Sequence, residues 1–379
     1  MKSDKLIAVH NGALGDFLCA WPALLALARG MAAGKATTAS DGADEPPARA
    51  APCLGDTPRL LFAGSAERLR WLAPLGYAPC PPAMRRALDE LYGGGREACG
   101  ENDARNPTAW PRPLAGATVA WFCLDRVAVA PHPRIVPLPC LTPGPEKDGP
   151  ETKPAMHVTE TLRRRLEEAQ LPALVAASGL SGLPGPSRWD ADWPAAWRRH
   201  FGGWEGADSR TVALVPGAGH RAKQWPPRRF AAVANALARA GYNPLYVLGP
   251  AELERGLDRN ALLPPGQEAT VITPADHGEL AQLLRRARLV VGNDSGPLHL
   301  AALHGAPVLA LFGPAPAAAW RPHGAVALAS PLACAPCSPT LRSLGCGGVA
   351  ASLGAAPCMA AIEVDAVLEA IWKLLERNA

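Results

Sequence analysis

A chain of 379 residues, 48% apolar and only 19% charged, is long enough for two domains with separate cores and too apolar to be disordered. The formal net charge of +4 excludes the dense basic footprint of a nucleic-acid binder. No run of about eighteen apolar residues stands out, and the short apolar stretch before Asn11 and Gly12 is too brief for a signal peptide, so a membrane span is not expected and the chain reads as cytoplasmic.

In chain order, residues 6–10 predict a strand. Residues 16–29 predict a helix with Phe17, Trp21, Leu24, Leu25 and Ala28 along one face. Residues 32–58, rich in Ala, Gly, Asp and Pro, read as a loop or insert. A second strand and helix follow at 60–63 and 66–75. Residues 93–113 are irregular, 118–123 are a strand, 131–154 form a Pro-rich insert, and 158–169 are a helix with Val158, Leu162 and Leu166 inward.

The stretch 178–204 is dominated by Gly, Pro and Trp and makes the best domain boundary. Trp189, Trp193 and Trp197, four apart, predict a short linker helix. Beyond it the alternation is cleaner: a strand at 211–215, a helix at 227–240 ended by Gly241, a strand at 245–248, a helix at 252–259, a strand at 270–272 and a helix at 279–286. The segment LVVGNDSGPLHLAALHGAPVLALFGP then reads as strand, polar turn, helix from Pro297 to about His304, and strand at 308–312. Val364, Val367, Leu368, Ile371 and Leu375 mark an amphipathic C-terminal helix. The predicted class is α/β, two doubly wound Rossmann-like domains facing a central cleft. We divide the chain into an N-terminal domain over 1–185, a linker over 186–208, a C-terminal domain over 209–345 and a Cys-containing loop and helix over 346–379.

Ten cysteines without an export signal are expected to be reduced. Cys334, Cys337, Cys346 and Cys358 include one C-x-x-C pair, but the other two lack the close spacing of a zinc knuckle; a loop of small apolar thiols is the preferred reading. Asp190-Ala191-Asp192 has the D-x-D form of some metal sites, yet it lies in the linker and is read as a helix cap.

Three loops stand where a strand hands over to a helix, the place where bare N–H groups and the helix dipole favour phosphate. The first is Asn11-Gly12-Ala13-Leu14-Gly15-Asp16, in which Asp16 fits either a cap or a catalytic role. The second, residues 216–226, carries Gly217, Gly219, His220, Arg221 and Lys223, suited to a pyrophosphate. It is not a P-loop, lacking G-x-x-x-x-G-K-[ST]. In the third, Ser295 and the Gly296 amide can bind phosphate oxygens, Asp294 can cap the turn or orient Lys223, and His299 lies a turn further on. Glu252, near a strand end, is placed to accept from ribose hydroxyls or to complement a helix dipole.

Taken together, NDSGPLHLAALHGAPVLALFGP, PGAGHRAKQWPPRRFA, GALGDFLCAWPALLAL and the late CSPTLRSLGC…CM segment resemble glycosyltransferase family 9, the lipopolysaccharide heptosyltransferases of GT-B fold. The resemblance implies an ADP-heptose donor in the C-terminal domain, a lipid A–core acceptor in the N-terminal one, and inverting transfer with no metal and no cofactor. It makes Asp16 the general base and Lys223 the partner of the leaving diphosphate, with Ser295, Gly296 and His299 in contact with it, Gly15, Gly217 and Asp294 in the donor site, and Glu252 on the nucleoside. It also implies work on a lipid-linked glycan at the inner membrane face, and no nucleic-acid partner. Ala218-Gly219 stands where some relatives carry hydroxyl residues. The rival readings are the same fold with another nucleotide sugar, a non-catalytic nucleotide-sugar binder, and a nicotinamide-dependent oxidoreductase. The missing G-x-G-x-x-G disfavours the last.

Overall fold

The computed structural model describes residues 5–36, 59–97, 110–123, 132, 134–140, 156–168, 192–249, 262–263, 269–337 and 355–377. These divide into two compact units, one drawn from Met1–Gly12, Ala20–Thr142 and Thr159–Ala191, the other from Ala13–Cys19, Pro143–Val158 and Asp192–Ala379.

The first unit is built on a five-stranded parallel sheet of order β3-β2-β1-β4-β5, with β1 at Lys5–His10, β2 at Leu60–Ala63, β3 at Ala78–Pro79, β4 at Ala117–Cys123 and β5 at Ile135–Pro139. Its central strands read as continuous apolar runs because both faces of a parallel sheet are covered. Ile7, Val9, Leu61, Val119 and Trp121 form one side of the core with Ala87 and Leu88 of the helix Pro82–Glu97.

Three sequence expectations need correction here. The Pro-rich stretch 131–154 is not wholly irregular, for it contains β5. Proline cannot donate to a ladder and so is confined to edges; β5 is an edge strand, with Val136 and Leu138 buried and Pro137 exposed. The predicted helix at 66–75 is a single turn, α2 (Ala66–Leu69), and a separate 3-10 turn at Ala73–Leu75 whose second residue is Pro74. The first helix, α1 (Leu14–Ala36), is longer than predicted and buried all round rather than on one face: Phe17, Leu18, Trp21, Leu24, Leu25 and Leu27 are each at most 3% exposed.

α1 also bears on the membrane question. Its window Leu14–Met31, with mean hydropathy 1.2, is long and apolar enough to cross a membrane, but 78% of it is buried inside the protein. The run is inconspicuous in the sequence because alanines and a proline separate the large side chains. Its polar ties are those of a core helix: Trp21 Nε1 donates to the Trp71 carbonyl at 3.1 Å, and the Tyr77 hydroxyl donates to the Leu24 carbonyl at 2.9 Å.

The second unit carries a six-stranded parallel sheet of order β11-β10-β9-β6-β7-β8. Its strands are β6 (Asp208–Val215), β7 (Asn243–Val247), β8 (Thr270–Ile272), β9 (Ala287–Asn293), β10 (Val308–Phe312) and β11 (Val326–Ala329). Counted from β6 this is the doubly wound order 3-2-1-4-5-6, in which the chain reverses direction across the sheet between β6 and β9. Numbering the remaining helices in order, α3 is Pro82–Glu97, α4 Val158–Glu168, α5 Trp193–Phe201, α6 Pro227–Arg239, α7 His277–Arg286, α8 Gly296–His304, α9 Ala317–Trp320, α10 Pro357–Ala360 and α11 Val364–Arg377.

The described part of 346–379 is not a separate appendage. Cys358, Met359 and Ile362, with Val367 and Ile371 of α11, share one core with Phe230 and Val233 of α6 and with Leu214, Val291 and Leu311 of the sheet. The linker helix is α5, with Trp193 and Trp197 buried; Trp189 and Asp190 lie outside the described residues. Asp192 occupies the N-cap position of α5 without making the side-chain cap bond.

The contact between β6 and β9 sets the second sheet. Val215 pairs with Gly292, and a Cβ built on Gly292 would stand 2.4 Å from the Val215 carbonyl oxygen. That approach admits only glycine. Gly292→Ala is therefore expected to lower stability by about 3 kcal/mol, the upper end of overpacking effects, in urea unfolding; a loss within about 0.5 kcal/mol, as at a surface position, would contradict the assigned packing.

Candidate functional site

In a doubly wound sheet, loops leaving the carboxyl ends of the two strands at the reversal point diverge and open a crevice for a ligand. Here those strands are β6 and β9, and the loops are residues 216–226 and 293–296. A buried amide joins them. Asn293, 0% exposed, accepts from the Trp225 N–H through Oδ1 at 3.0 Å and donates from Nδ2 to the Pro216 carbonyl at 2.7 Å. It thus holds both ends of the basic loop. Trp225 is pinned in turn, its Nε1 donating to the Ile362 carbonyl at 2.9 Å and its ring meeting Phe230 edge-on. Within the loop, His220 is exposed and its Nδ1 accepts from the Ala222 N–H at 3.1 Å, forming the 3-10 turn Arg221–Lys223. Gly217 is buried at the start of the loop.

That turn directs Lys223 inward. Its Nζ lies 2.6 Å from Asp294 Oδ2, with the two side chains 20% and 6% exposed. Removing two charges from water offsets much of their attraction, so the pair gains little stability. Its effect is placement, holding an ammonium at the mouth of the β9–α8 turn. The next residue, Ser295, is the N-cap of α8, yet its hydroxyl makes no cap bond and Oγ is buried with no hydrogen-bond partner among the described residues. Pro297 fills the first turn without a donor, while the positive end of the helix faces the same place. The other end of α8 is fixed: His304 Nδ1 is 2.6 Å from the Gly202 carbonyl, and its ring meets Trp197 edge-on.

The first turn of α1 belongs to this same unit. A Cβ on Gly15 would lie 3.5 Å from the Gly296 Cα, and a Cβ on Gly296 would lie 3.0 Å from the Gly15 nitrogen and 2.8 Å from the Leu14 Cβ. Paired glycines therefore let the starts of α1 and α8 touch backbone to backbone. Asp16 lies one residue on, its Oδ2 accepting from the Ala13 N–H at 3.0 Å. It is the third residue of the helix rather than the cap itself, closing one half of a capping box. So Gly15, Asp16, Gly217, Lys223, Asp294, Ser295, Gly296 and His299 all fall in one compact unit. Glu252 and Cys346 lie outside the described residues. Cys334 and Cys337 are exposed and Cys358 is buried in the core. Among the described residues no cluster of three His, Cys, Asp or Glu side chains is arranged to hold a metal ion.

His299 is buried in the second turn of α8, with Nδ1 3.6 Å from the Cys19 thiol of α1. Burial pushes its pKa down to about 4; His157 and Lys223 add to the shift and Asp294 opposes it. The ring is neutral at ordinary pH and can donate or accept, but it supplies no charge. The sequence reading missed Asn293 as a brace, Cys19 as a neighbour of His299, and Trp320, whose ring lies 5.9 Å below Lys223 Nζ. Asn293 carried a signal, a short amide ending an apolar strand; Cys19 and Trp320 carried none.

A lysine, a helix start and an unpartnered hydroxyl at a strand reversal are the arrangement by which a Rossmann-like unit can seat a phosphate. The family model for glycosyltransferase family 9 (heptosyltransferase) matches residues 150–346, just over half of the chain. The chain belongs to that family. It is 30% identical over 135 residues to lipopolysaccharide heptosyltransferase 3 of Escherichia coli, an alignment covering 34% of this chain and 39% of that relative. The chain thus spans about two fifths of the length of that curated relative. Its fold is similar to that of a family 9 glycosyltransferase from Veillonella parvula (TM-score 0.55, 18% identity, covering 100% of this chain and 98% of the other). It is also similar to the E. coli ADP-heptose LPS heptosyltransferase II (TM-score 0.53, 18% identity, 99% of both chains). These likenesses extend over the whole chain and show the GT-B class of fold, α/β with two Rossmann-like units.

Two outcomes follow from the geometry. Asn293→Ala strands a buried N–H and a buried carbonyl and should cost about 3 kcal/mol in urea unfolding, with the 216–226 loop becoming protease-sensitive; an intact loop would refute the bracing role. Burial holds His304, like His299, down to about 4. Between about pH 6.5 and 4 the unfolded chain binds protons that the folded one refuses, so the stability present above pH 6.5 is lost on acidification, by roughly 2–3 kcal/mol per histidine at pH 4. A variant with both His299→Gln and His304→Gln should show a flatter stability profile over that range. An unchanged slope would place the acid sensitivity elsewhere.

Proposed function

We propose that the protein is an inverting, metal-independent glycosyltransferase that moves a heptose from ADP-heptose to a lipid A–core acceptor at the inner face of the cytoplasmic membrane, with no cofactor. Family membership supports the class of reaction. The observation that carries the donor half is the Lys223–Asp294 pair beside the unpartnered Ser295 hydroxyl at the start of α8. A leaving nucleoside diphosphate gains negative charge as the bond to the anomeric carbon breaks. An ammonium, a helix N-terminus and a free hydroxyl donor, fixed before reaction, stabilise that charge without reorganising.

On this reading Asp16 takes the proton from the acceptor hydroxyl as its oxygen attacks the anomeric carbon from the face opposite the diphosphate, which inverts the configuration. Lys223 neutralises the departing diphosphate, Ser295 and the Gly296 amide donate to its oxygens, and neutral His299 lies one turn further along α8. Asp294 keeps Lys223 extended toward the ligand. Gly15 and Gly296 bring the base-bearing turn against the phosphate-binding turn, which supports Asp16 in its role. Glu252 is assigned to the nucleoside.

The two halves separate experimentally. Asp16→Asn should lower kcat by roughly 10²–10⁴ while leaving ADP affinity nearly intact in calorimetry. Replacing Lys223 alone would leave Asp294 buried without a counter-charge, so the donor half is tested with Lys223→Ala combined with Asp294→Asn. That variant should bind ADP about tenfold or more weakly. Retained transfer in the first, or retained ADP affinity in the second, would remove the corresponding assignment.

A further inference from the structure

The connection after β10 delivers a side chain that the mechanism above does not use. Leu311 of β10 pairs with Asn293 of β9, so the turn that follows β10 leaves the sheet beside the 293–296 loop. It leads into α9, whose last residue is Trp320. Trp320 is 7% exposed and its indole Nε1 has no hydrogen-bond partner among the described residues. Lys223 Nζ stands 5.9 Å from the centroid of its ring, within range of a cation–π contact. One ammonium is therefore held from two directions, by the Asp294 carboxylate and by the face of this indole.

Buried N–H groups in folded proteins almost always find an acceptor, because an unmade bond leaves the desolvation penalty uncompensated. Ser295 Oγ, on the residue that follows Asp294, and Trp320 Nε1, in the indole whose ring centroid lies 5.9 Å from Lys223 Nζ, are two buried donors left without a partner among the described residues. Both are able to donate, and the Lys223 ammonium, with one of its three N–H donors directed at Asp294, can donate as well. A group that satisfies both and also accepts from the ammonium must be rich in acceptor oxygens, as a diphosphate is. The indole contributes a donor without a second positive charge, so it does not weaken the hold on Lys223.

We propose that Trp320 is a further binding residue of the donor site, its Nε1–H donating to an anionic oxygen of the nucleoside diphosphate that Lys223 neutralises. This rests on the donor-site reading given above. The aromatic face keeps Lys223 in its inward pose, and the N–H finds its missing acceptor when the diphosphate arrives.

Trp320→Phe keeps an aromatic face beneath Lys223 and removes the N–H. By calorimetry its ADP affinity should fall about tenfold, as for loss of a hydrogen bond to a charged group, with adenosine affinity unchanged. In a proton–nitrogen NMR spectrum of the full chain, the indole resonance that disappears in Trp320→Phe should shift on adding ADP to the wild-type protein and stay in place with adenosine. Unchanged ADP affinity in the variant overturns the inference. So does an indole resonance that ADP fails to move, a readout that stands even if the variant folds poorly. A wild-type chain that binds GDP or UDP in place of ADP removes the adenine assignment alone, and the same titrations with that nucleotide then decide Trp320. If none of the three binds, the donor-site reading and this inference fall together.

Discussion

The carboxamide of Asn293 is the interaction on which the rest of the second unit's functional end depends. Loops 216–226 and 293–296 leave the sheet from β6 and β9, and no strand pairing holds them together beyond that point. One side chain at the end of β9 reaches both the first residue of the basic loop, through the Pro216 carbonyl, and a residue near its close, through the Trp225 N–H. With both ends fixed, the 3-10 turn between them has little freedom, and Lys223 is delivered onto Asp294, the residue immediately after Asn293. An amide suits this position because it offers a donor and an acceptor on one planar group and carries no charge that would need a counter-ion in a fully buried place.

Around that brace the site is assembled from backbone geometry more than from charged side chains. Two helix starts meet through Gly15 and Gly296, where a Cβ on Gly296 would intrude on the other turn. The meeting concentrates unpaired N–H groups and the positive ends of two dipoles in a small volume. Lys223 adds a full positive charge, and Asp294 holds it inward. Neutral His299, buried behind the first turn of α8, keeps further positive charge out of a region that has little water to screen it. On the proposed reading, a helix terminus and a lysine meet a diphosphate where other sites employ a divalent ion.

Much of the scaffold was legible in the residue pattern because parallel sheets bury both faces of their strands, so β6, β9 and β10 appear as unbroken apolar runs ending in glycine- and proline-marked turns. The pattern failed where proline disguised an edge strand, as in β5, and where alanine-rich stretches hid how fully α1 is buried. At the site, Lys223, Asp294, Ser295 and Gly296 were visible because they fall at strand-to-helix junctions. Trp320 was not, since it lies twenty-one positions beyond His299, the nearest predicted site residue in the chain, and nothing local distinguishes it from a core tryptophan.

The sequence alone determined the class of fold and the three strand-to-helix loops, since both follow from short-range rules: the period of apolar residues, the position of glycine and proline, and the chemistry at a helix start. Only the tertiary structure decided which groups act together. It turned Asn293 from a turn residue into a brace, brought the Asp16-bearing turn against α8 through two glycines, paired Lys223 with Asp294, and set Trp320 beneath that lysine. Each of these contacts joins residues far apart in the chain, and the order β11-β10-β9-β6-β7-β8 is what makes neighbours of those that leave the second sheet. That order is set by how strands pack across a whole sheet, a property no local stretch of residues contains.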